Sequence, residues 1–214
     1  MPTVFLSAGH GGNDPGAVAN GLQEKAINLN ALLTCKDELV RHGVNVICSR
    51  EKDADDPVAQ EVKEANASNA DLAVSFHANA GGGDGFEAFY YSKNEYGKKL
   101  AKLCEKHVKS LGQNSRGVKS GDKLYFIKNT KMVSVLVESF FVDNPADKKV
   151  GDTKEEQKAF GLAYAKAILE FLGIKYLPRV KYRVQVGAYE DKTNAAKLKQ
   201  RLIDAGFEAI IVKE

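Results

Sequence analysis

The 214-residue sequence lacks the features of a disulfide-linked, membrane-spanning or nucleic-acid-binding protein. Its three cysteines, Cys35, Cys48 and Cys104, are odd in number and lie far apart within apolar segments. They predict buried reduced thiols, not a disulfide framework or a zinc cluster. No apolar run approaches the roughly 20 residues that span a bilayer. The formal net charge of +3 is too small to indicate a polyanion ligand. We therefore expect neither a membrane nor a nucleic acid as partner.

The N-terminus also lacks the parts of a secretion signal. Met1, Pro2 and Thr3 lead directly into the apolar run "VFL", with no basic region, long apolar stretch or cleavage site. The expectation is a protein made in the cytoplasm without a Sec-type signal peptide. What is present is ordinary for a globular chain, with 43% hydrophobic and 28% charged residues. The length allows one sizeable core and a small appendage.

Strands and helices alternate along residues 3–172. Short apolar runs predict strands, and segments with helical periodicity predict helices. The predicted strands are 3–8, 44–49, 71–78, 85–91, 123–128 and 134–141, and the predicted helices begin at Glu24 and span 56–70, 94–111 and 153–172. This alternation predicts an α/β fold with a twisted, mostly parallel sheet flanked by helices on both faces.

The pattern changes near residues 174–181, where a proline and basic residues predict a linker after a first domain at 1–173. Beyond it, residues 182–214 predict one strand, one helix and one strand, a small C-terminal βαβ unit. About 36 residues bury little core alone, so this unit is expected to pack on another partner.

Four polar residues stand at or just beyond predicted strand ends, where functional groups of parallel sheets collect. His10 follows the first strand in "FLSAGHGGND", Glu24 opens the first helix, His77 ends "LAVSF", and Glu138 lies within "VLVESFF". Two imidazoles and one carboxylate are a ligand set for catalytic zinc. Such a zinc ion leaves its fourth position to a water molecule, and that water needs a proton acceptor. Glu138 suits this role because a carboxylate within an apolar strand is costly to bury without a purpose or a partner.

Each of these residues, taken alone, also has an ordinary structural explanation. A histidine after a strand can simply be hydrogen-bonded, Glu24 can favour the helix dipole, and Glu138 can pair with a lysine. Glu87, on a strand near His77, is a rival proton acceptor. The spacing of the ligands matches no short local zinc motif. Residue types and spacing therefore leave a metal site and structural roles both open.

Three other features have simpler interpretations. The loop "GHGGND" lacks the spacing and the lysine of a phosphate-binding loop, so a phosphate site is the weaker interpretation. "NAGGGDG" (79–85) predicts a flexible active-site loop. His42 and His107 lie on predicted helices among charged residues, where surface or capping roles suffice.

Several motifs together resemble the zinc-dependent N-acetylmuramoyl-L-alanine amidases of the "amidase 3" type. The matching stretches are "SAGHGGNDPGA" (7–17), "LQEKAINLNALL" (22–33), "SREKD" (49–53), "SFHANA" (75–80), "GFEAFYY" (85–91) and "VLVESFFVDNPAD" (135–147). They occur in the family's order and cover roughly residues 3–172.

The resemblance implies one Zn²⁺ per chain, with His10, Glu24 and His77 as ligands and Glu138 as catalytic carboxylate. Asn79, in "SFHANA", is expected to bind substrate. The implied reaction is hydrolysis of the amide between N-acetylmuramic acid and the L-alanine of the peptidoglycan stem peptide. The chain departs from the family at Ser7, where many members have aspartate, which removes a carboxylate from behind His10. The glycines near His10 are expected to give a bulky substrate access to the metal.

The tail resembles one half of a SPOR-type peptidoglycan-binding module, through "VQVGAY", "NAAKLKQRL" and "GFEAIIV". Because complete modules have two such halves, we expect two chains to pair their halves in a homodimer. The resulting expectation is a phage endolysin or bacterial autolysin that acts on the cell wall after release, through a membrane hole or on mother-cell lysis. The alternatives are a non-catalytic wall-binding protein on a degenerate amidase scaffold and a zinc peptidase acting on stem peptides.

Overall fold

The computed structural model describes residues 1–179 and 184–213, which fall into two compact units, Met1–Leu177 and Pro178–Glu214. A six-stranded sheet forms the centre of the first unit, with strand order β4-β1-β5-β8-β6-β7. A small antiparallel hairpin of β2 and β3 stands apart from it. The strands are β1 (Thr3–Ala8), β2 (Val18–Ala19), β3 (Leu22–Gln23), β4 (Asn45–Cys48), β5 (Leu72–Asn79), β6 (Phe86–Tyr90), β7 (Ser115–Ser120) and β8 (Val133–Phe141).

The pair β6–β8 is antiparallel, and the other pairs within the large sheet are parallel. The prediction of a mostly parallel sheet is therefore confirmed. The direction of β6 also matters for function. Its first residues lie at the same edge of the sheet as the last residues of β1 and β5, and β7, parallel to β6, likewise begins at this edge.

Helices cover both faces of the sheet, as predicted. They are α1 (Glu24–Arg41), α2 (Val58–Ala67), α3 (Glu95–Lys109), α4 (Tyr125–Asn129), α5 (Lys148–Gly151) and α6 (Lys154–Phe171). Side chains alternate between faces along a strand. Val4 and Leu6 of β1 join the larger core beneath α1, α3 and α6, whereas Phe5 joins a smaller core beneath α2 and α4.

Two local predictions in the first unit are wrong. Residues 123–128 ("KLYFIK") were expected to form a strand, but they contribute to α4, whose Phe126 and Ile127 are buried in the smaller core. Aromatic and β-branched residues favour strands, but a short apolar run does not separate a strand from a buried helical turn. The strand β7 was not predicted, because "SRGVKS" is polar and carries a glycine in its middle.

Residues 174–177 of the expected linker belong to the first unit. The Ile174 N–H donates to the Leu169 carbonyl at 2.9 Å, and the Leu177 N–H donates to His42 Nε2 at 2.9 Å. Residues 180 and 181 of that linker lie outside the described residues. No helix in the described part of the chain is both long and apolar enough to cross a membrane.

In the second unit, residues 184–213 contain the predicted helix as α7 (Lys192–Asp204) but no strand, so the expected βαβ arrangement is not formed there. The predicted strands were 182–189 and 207–214, of which residues 182, 183 and 214 lie outside the described residues. A strand exists only where a neighbour about 4.8 Å away completes its hydrogen bonds. Among the described residues the two apolar runs of this unit pair neither with each other nor with another strand, so neither forms a strand.

Candidate metal centre

Three side chains from distant parts of the sequence meet at one edge of the sheet. His10 lies in the loop that follows β1, Glu24 is the first residue of α1, and His77 lies near the end of β5. One ligand atom from each of them lies within 4.8 Å of the other two. The parallel pairing of β1 with β5 brings these segments together, as expected for strand ends of a parallel sheet.

Glu24 joins the two imidazoles. Its Oε2 lies 3.3 Å from His10 Nε2, and its Oε1 lies 2.9 Å from His77 Nδ1. The backbone N–H of Ala17 donates to Oε2 at 2.8 Å, and that of Ala78 donates to Oε1 at 3.2 Å. These contacts fix the carboxylate between the two rings.

The cluster stabilises positive charge. The hydrogen bond with Glu24 raises the pKa of His10 to about 9, although burial opposes this shift. For His77, burial lowers the pKa, but the hydrogen bond with Glu24 and nearby carboxylates outweigh it and the pKa is raised. Burial likewise opposes the charged form of Glu24, yet its bonds to both imidazoles hold its pKa below the usual range. The donor set of two imidazole nitrogens and one carboxylate fits a zinc ion, whose binding would displace the protons from the ligating nitrogens.

Asp14 orients His10 from behind. Its Oδ2 lies 2.7 Å from His10 Nδ1, which leaves Nε2 directed at Glu24. A carboxylate on the second ring nitrogen is the common support for a metal-binding histidine. This role of Asp14 was not predicted, because the family resemblance directs attention to position 7 instead. Ser7 is fully buried within the sheet, opposite Ser75 of β5.

Glu138 lies directly beside the cluster on the next strand. In the register of β5 and β8 it is opposite His77. Its Oε2 is buried and has no hydrogen-bond partner among the described residues. Burial raises the pKa of Glu138 to about 7. The carboxyl group can therefore hold or release a proton near neutral pH.

Glu87, the rival carboxylate, lies opposite Glu138 on β6 but in a different environment. Arg116 Nε donates to Glu87 Oε1 at 2.5 Å, and Lys119 Nζ contacts the same oxygen. Burial opposes the charged form of Glu87, but these two cations outweigh it and lower the pKa of Glu87. Asn79 Nδ2 donates to Glu87 Oε2 at 3.3 Å. Glu87 is thus held as a carboxylate, unlike Glu138.

The family model for N-acetylmuramoyl-L-alanine amidase matches residues 4–170, which contain all of these groups. The chain belongs to this amidase family. A second model, for the SPOR domain, matches residues 178–214.

Known proteins similar to this amidase come from bacteria and from a phage. The N-acetylmuramoyl-L-alanine amidase CwlM of Bacillus licheniformis is 31% identical over 99% of this chain and 85% of its own length. The endolysin of Bacillus phage SPP1 is 34% identical over 94% of this chain and 75% of its own length. The catalytic domain of the amidase CwlV from Bacillus (Paenibacillus) polymyxa var. colistinus superposes with a TM-score of 0.76 at 29% identity, covering 82% of this chain and 100% of that domain.

The glycines of the amidase's first loop make room for the ligands themselves. A Cβ on Gly9 would lie 2.1 Å from His77 Cε1, and one on Gly16 would lie 2.6 Å from Glu24 Oε2. His10 adopts a left-handed backbone with φ of 65°, a conformation that costs energy for a residue with a side chain. Gly9 and Gly16 therefore have a packing reason of their own, and the expectation that glycines near His10 admit the substrate stays a prediction.

Arg50 and Asp53, within the motif "SREKD", hold the same loop from the far side. Arg50 Nε donates to the Ala8 carbonyl at 2.9 Å, and Asp53 Oδ1 accepts the Gly12 N–H at 2.8 Å. Lys25 Nζ bridges Asp53 Oδ2 and the Gly12 carbonyl, both at 2.8 Å. These bonds stabilise the strained backbone at His10.

The glycine-rich segment 79–85 is held more firmly than its composition suggested. Asp143 Oδ2 accepts the N–H groups of Gly81 and Gly82 at 2.8 and 2.9 Å, and Asp147 Oδ2 accepts that of Gly85 at 2.8 Å. Both aspartates follow β8 in the chain. The prediction of a flexible loop overlooked these carboxylates.

The two remaining histidines and the cysteines are structural. His42 Nδ1 lies 2.8 Å from the Glu38 carbonyl, and His107 Nε2 lies 2.7 Å from Glu170 Oε2. The three cysteines are free thiols, buried or half-buried, and burial raises the pKa values of Cys48 and Cys104 to about 12.

Proposed function

We propose that His10, Glu24 and His77 hold one zinc ion and that Glu138 carries protons during hydrolysis of the amide between N-acetylmuramic acid and L-alanine. As a member of its family, the chain is a peptidoglycan amidase, and the proposal concerns the residues and the metal. The supporting observation is the geometry of four groups. Three ligand atoms lie within 4.8 Å of one another, and an unpaired buried carboxyl oxygen lies on the adjoining strand.

Each group then has a distinct task. His10, Glu24 and His77 would hold the zinc ion, which when bound would supply Lewis acidity and lower the pKa of a water molecule to about 7. Glu138 accepts a proton from the attacking water and returns it to the leaving amine of L-alanine. Asp14 keeps the Nε2 atom of His10 directed at the centre. Glu87 is unsuited to the proton transfer because two cations hold it ionised.

Removal of the metal tests this proposal. A chelator should abolish release of new L-alanine amino termini from purified peptidoglycan, and added zinc should restore it, because the Lewis acid has no substitute among the three ligands. Metal content should return to about one zinc per chain together with activity. Full activity in the metal-free chain would contradict the zinc assignment. Absence of activity with zinc bound would favour the degenerate scaffold, and amino termini other than alanine would favour a zinc peptidase.

We also propose a substrate contact for Asn79 and a wall-binding role for the second unit. Asn79 follows His77 by two residues on β5 and donates to Glu87, so its amide lies beside Glu87. The match of residues 178–214 to the SPOR domain supports peptidoglycan binding by the second unit. Similarity to an endolysin and to bacterial amidases supports action at the cell wall, in phage release or in autolysis.

Pairing of two second units into a homodimer would complete the sheet that one unit does not form. The apolar side chains of the second unit's two predicted strands are largely exposed, which is unfavourable in water. They are Val184, Val186, Phe207, Ile210, Ile211 and Val212. Light scattering at high protein concentration should therefore report a dimer of the full chain. A strictly monomeric profile with wall binding intact would contradict the homodimer and leave the amidase assignment unaffected.

A further inference from the structure

The row of functional groups continues past the proposed catalytic carboxylate to the edge of the sheet. From β5 to β7 it consists of His77, Glu138, Glu87 and then Arg116 and Lys119 together. The proposed hydrolysis uses the first two of these groups. The two cations at the end of the row have no part in it.

A β-bulge brings both cations to one carboxylate. In the register of β6 and β7, Phe86 pairs with Ser115 but Ala88 pairs with Val118, so β7 contains one extra residue. Residues three positions apart on a regular strand point to opposite faces. The extra residue at the bulge, where Gly117 has φ of 90°, puts Arg116 and Lys119 on the same side as Glu87. Bulges of this kind often redirect side chains beside active sites.

The two cations exceed what Glu87 requires. Glu87 is only 5% exposed and needs one cation to balance its buried charge. The side chains of Arg116 and Lys119 remain 42% and 39% exposed, so both also face solvent. Asp84 approaches Arg116 Nη1 only at 3.8 Å, beyond hydrogen-bond distance, and is itself more than half exposed.

The guanidinium of Arg116 is also held in a fixed orientation. Its Nε donates to Glu87, and its Cζ lies 5.4 Å from the centre of the Phe141 ring. Neither Nη atom donates a hydrogen bond to a described residue. A fixed guanidinium with free N–H groups is suited to bind a carboxylate through two hydrogen bonds.

We propose that Arg116 and Lys119 form a subsite for a carboxylate of the stem peptide, carried by the residue that follows the scissile alanine. Neighbouring strands lie about 4.8 Å apart, so Glu87, two strands from His77, lies about 10 Å away along the sheet. Arg116 and Lys119 start one strand further out, on β7, but their charged ends contact the Glu87 carboxylate. A peptide extends about 3.3–3.6 Å per residue, which puts a carboxylate on the second residue about 7–10 Å from the reacting amide. The subsite rests on the proposed amidase reaction and adds a specificity determinant to it.

Two matched substrates test the subsite. They are muramoyl peptides that differ only at the residue after alanine, which bears a free carboxylate in one and a carboxamide in the other. The zinc-loaded full chain should cleave the carboxylate form with a kcat/KM about tenfold higher, mainly through KM, because the contact is made before and during reaction. Arg116→Gln should reduce this ratio to about one, and Arg116→Lys should keep part of it. Lys102→Gln, which removes an equal charge from the exposed face of α3, should keep the ratio near ten.

Each outcome decides between the proposals. A wild-type ratio near one, or a ratio that Arg116→Gln leaves unchanged, would overturn the subsite while the amidase reaction stands. Failure of the zinc-loaded wild type to cleave either substrate at the alanine amide would instead overturn the proposed function. If Arg116→Gln does not fold by circular dichroism, Lys119→Gln removes the other cation and should lower the same ratio.

Discussion

Glu138→Gln is expected to lower kcat on purified peptidoglycan by about 10²-fold or more while the chain still binds one zinc ion. Glutamine keeps the size of the side chain but can neither accept nor return the proton. A fall in kcat of about 10²-fold is the usual effect of losing a general acid–base group. Among the described residues the side chain makes no hydrogen bond to His10, Glu24 or His77, and its buried Oε2 is unpaired. Turnover is measured as new alanine amino termini, and zinc by elemental analysis of the dialysed protein.

Two comparison variants make this result specific. Glu95→Gln removes an exposed carboxylate from α3 and should leave both kcat and zinc unchanged. Glu87→Gln should act mainly on KM, because Glu87 holds Arg116 and Lys119 and not the reacting water. If Glu87→Gln loses turnover and Glu138→Gln retains it, the roles of the two carboxylates are the reverse of those proposed.

The members of the centre could be predicted because each lies where a general rule directs attention. His10 and His77 follow or end apolar strands, and parallel strands bring such positions to one edge. Glu138 was conspicuous because a carboxylate within an apolar strand needs a reason. The long sequence separations between them are bridged by the sheet, so no short motif reveals the set. The resemblance to the family, through motifs in the same order, indicated that these four residues belong to one site.

What the sequence did not reveal depends on contacts across the fold. Asp14 supports His10 only because the loop turns back on itself, and Asp143 fixes Gly81 and Gly82 across a separation of about 60 residues. The strand β7 was not predicted for a related reason. Its polar sequence carries no apolar alternation, and its single-residue bulge is visible only in the pairing with β6. The same bulge creates the proposed carboxylate subsite, so the least predictable strand supplies the specificity proposed for this centre.

The second unit shows the opposite limit. Its helix has a clear periodic pattern that predicts residues 194–206, and it is confirmed with each end two residues earlier, as Lys192–Asp204. The flanking apolar runs satisfy every local criterion for strands, yet a strand also needs a neighbour that local sequence does not specify. Local sequence therefore predicts which segments favour the strand conformation. Whether a strand forms depends on a neighbouring strand that completes its hydrogen bonds.

Gly9→Ala is expected to abolish zinc binding and to lower turnover by about 10²-fold or more, because one methyl group would occupy the place of the His77 ring. A Cβ at position 9 would lie 2.1, 2.4 and 2.8 Å from three atoms of that ring. The ring has no retreat without leaving Glu24, to which its Nδ1 is bonded at 2.9 Å. A ligand lost from a three-residue set removes most of the metal affinity. Zinc content after dialysis and release of alanine amino termini measure the two effects.

The matched variant is Gly97→Ala in the first turn of α3. A Cβ there meets nothing closer than 3.4 Å, an ordinary contact. Alanine is also the better helix former, so stability, zinc and turnover should all be retained. Gly9 is not among the glycines with a positive φ, so its substitution tests space alone and not backbone strain. A Gly9→Ala chain with full zinc and full turnover would mean that His77 binds the metal from another position or not at all. A folded Gly9→Ala chain without zinc would instead explain why a glycine precedes His10. The imidazole of His77 occupies the space that a side chain at position 9 would need.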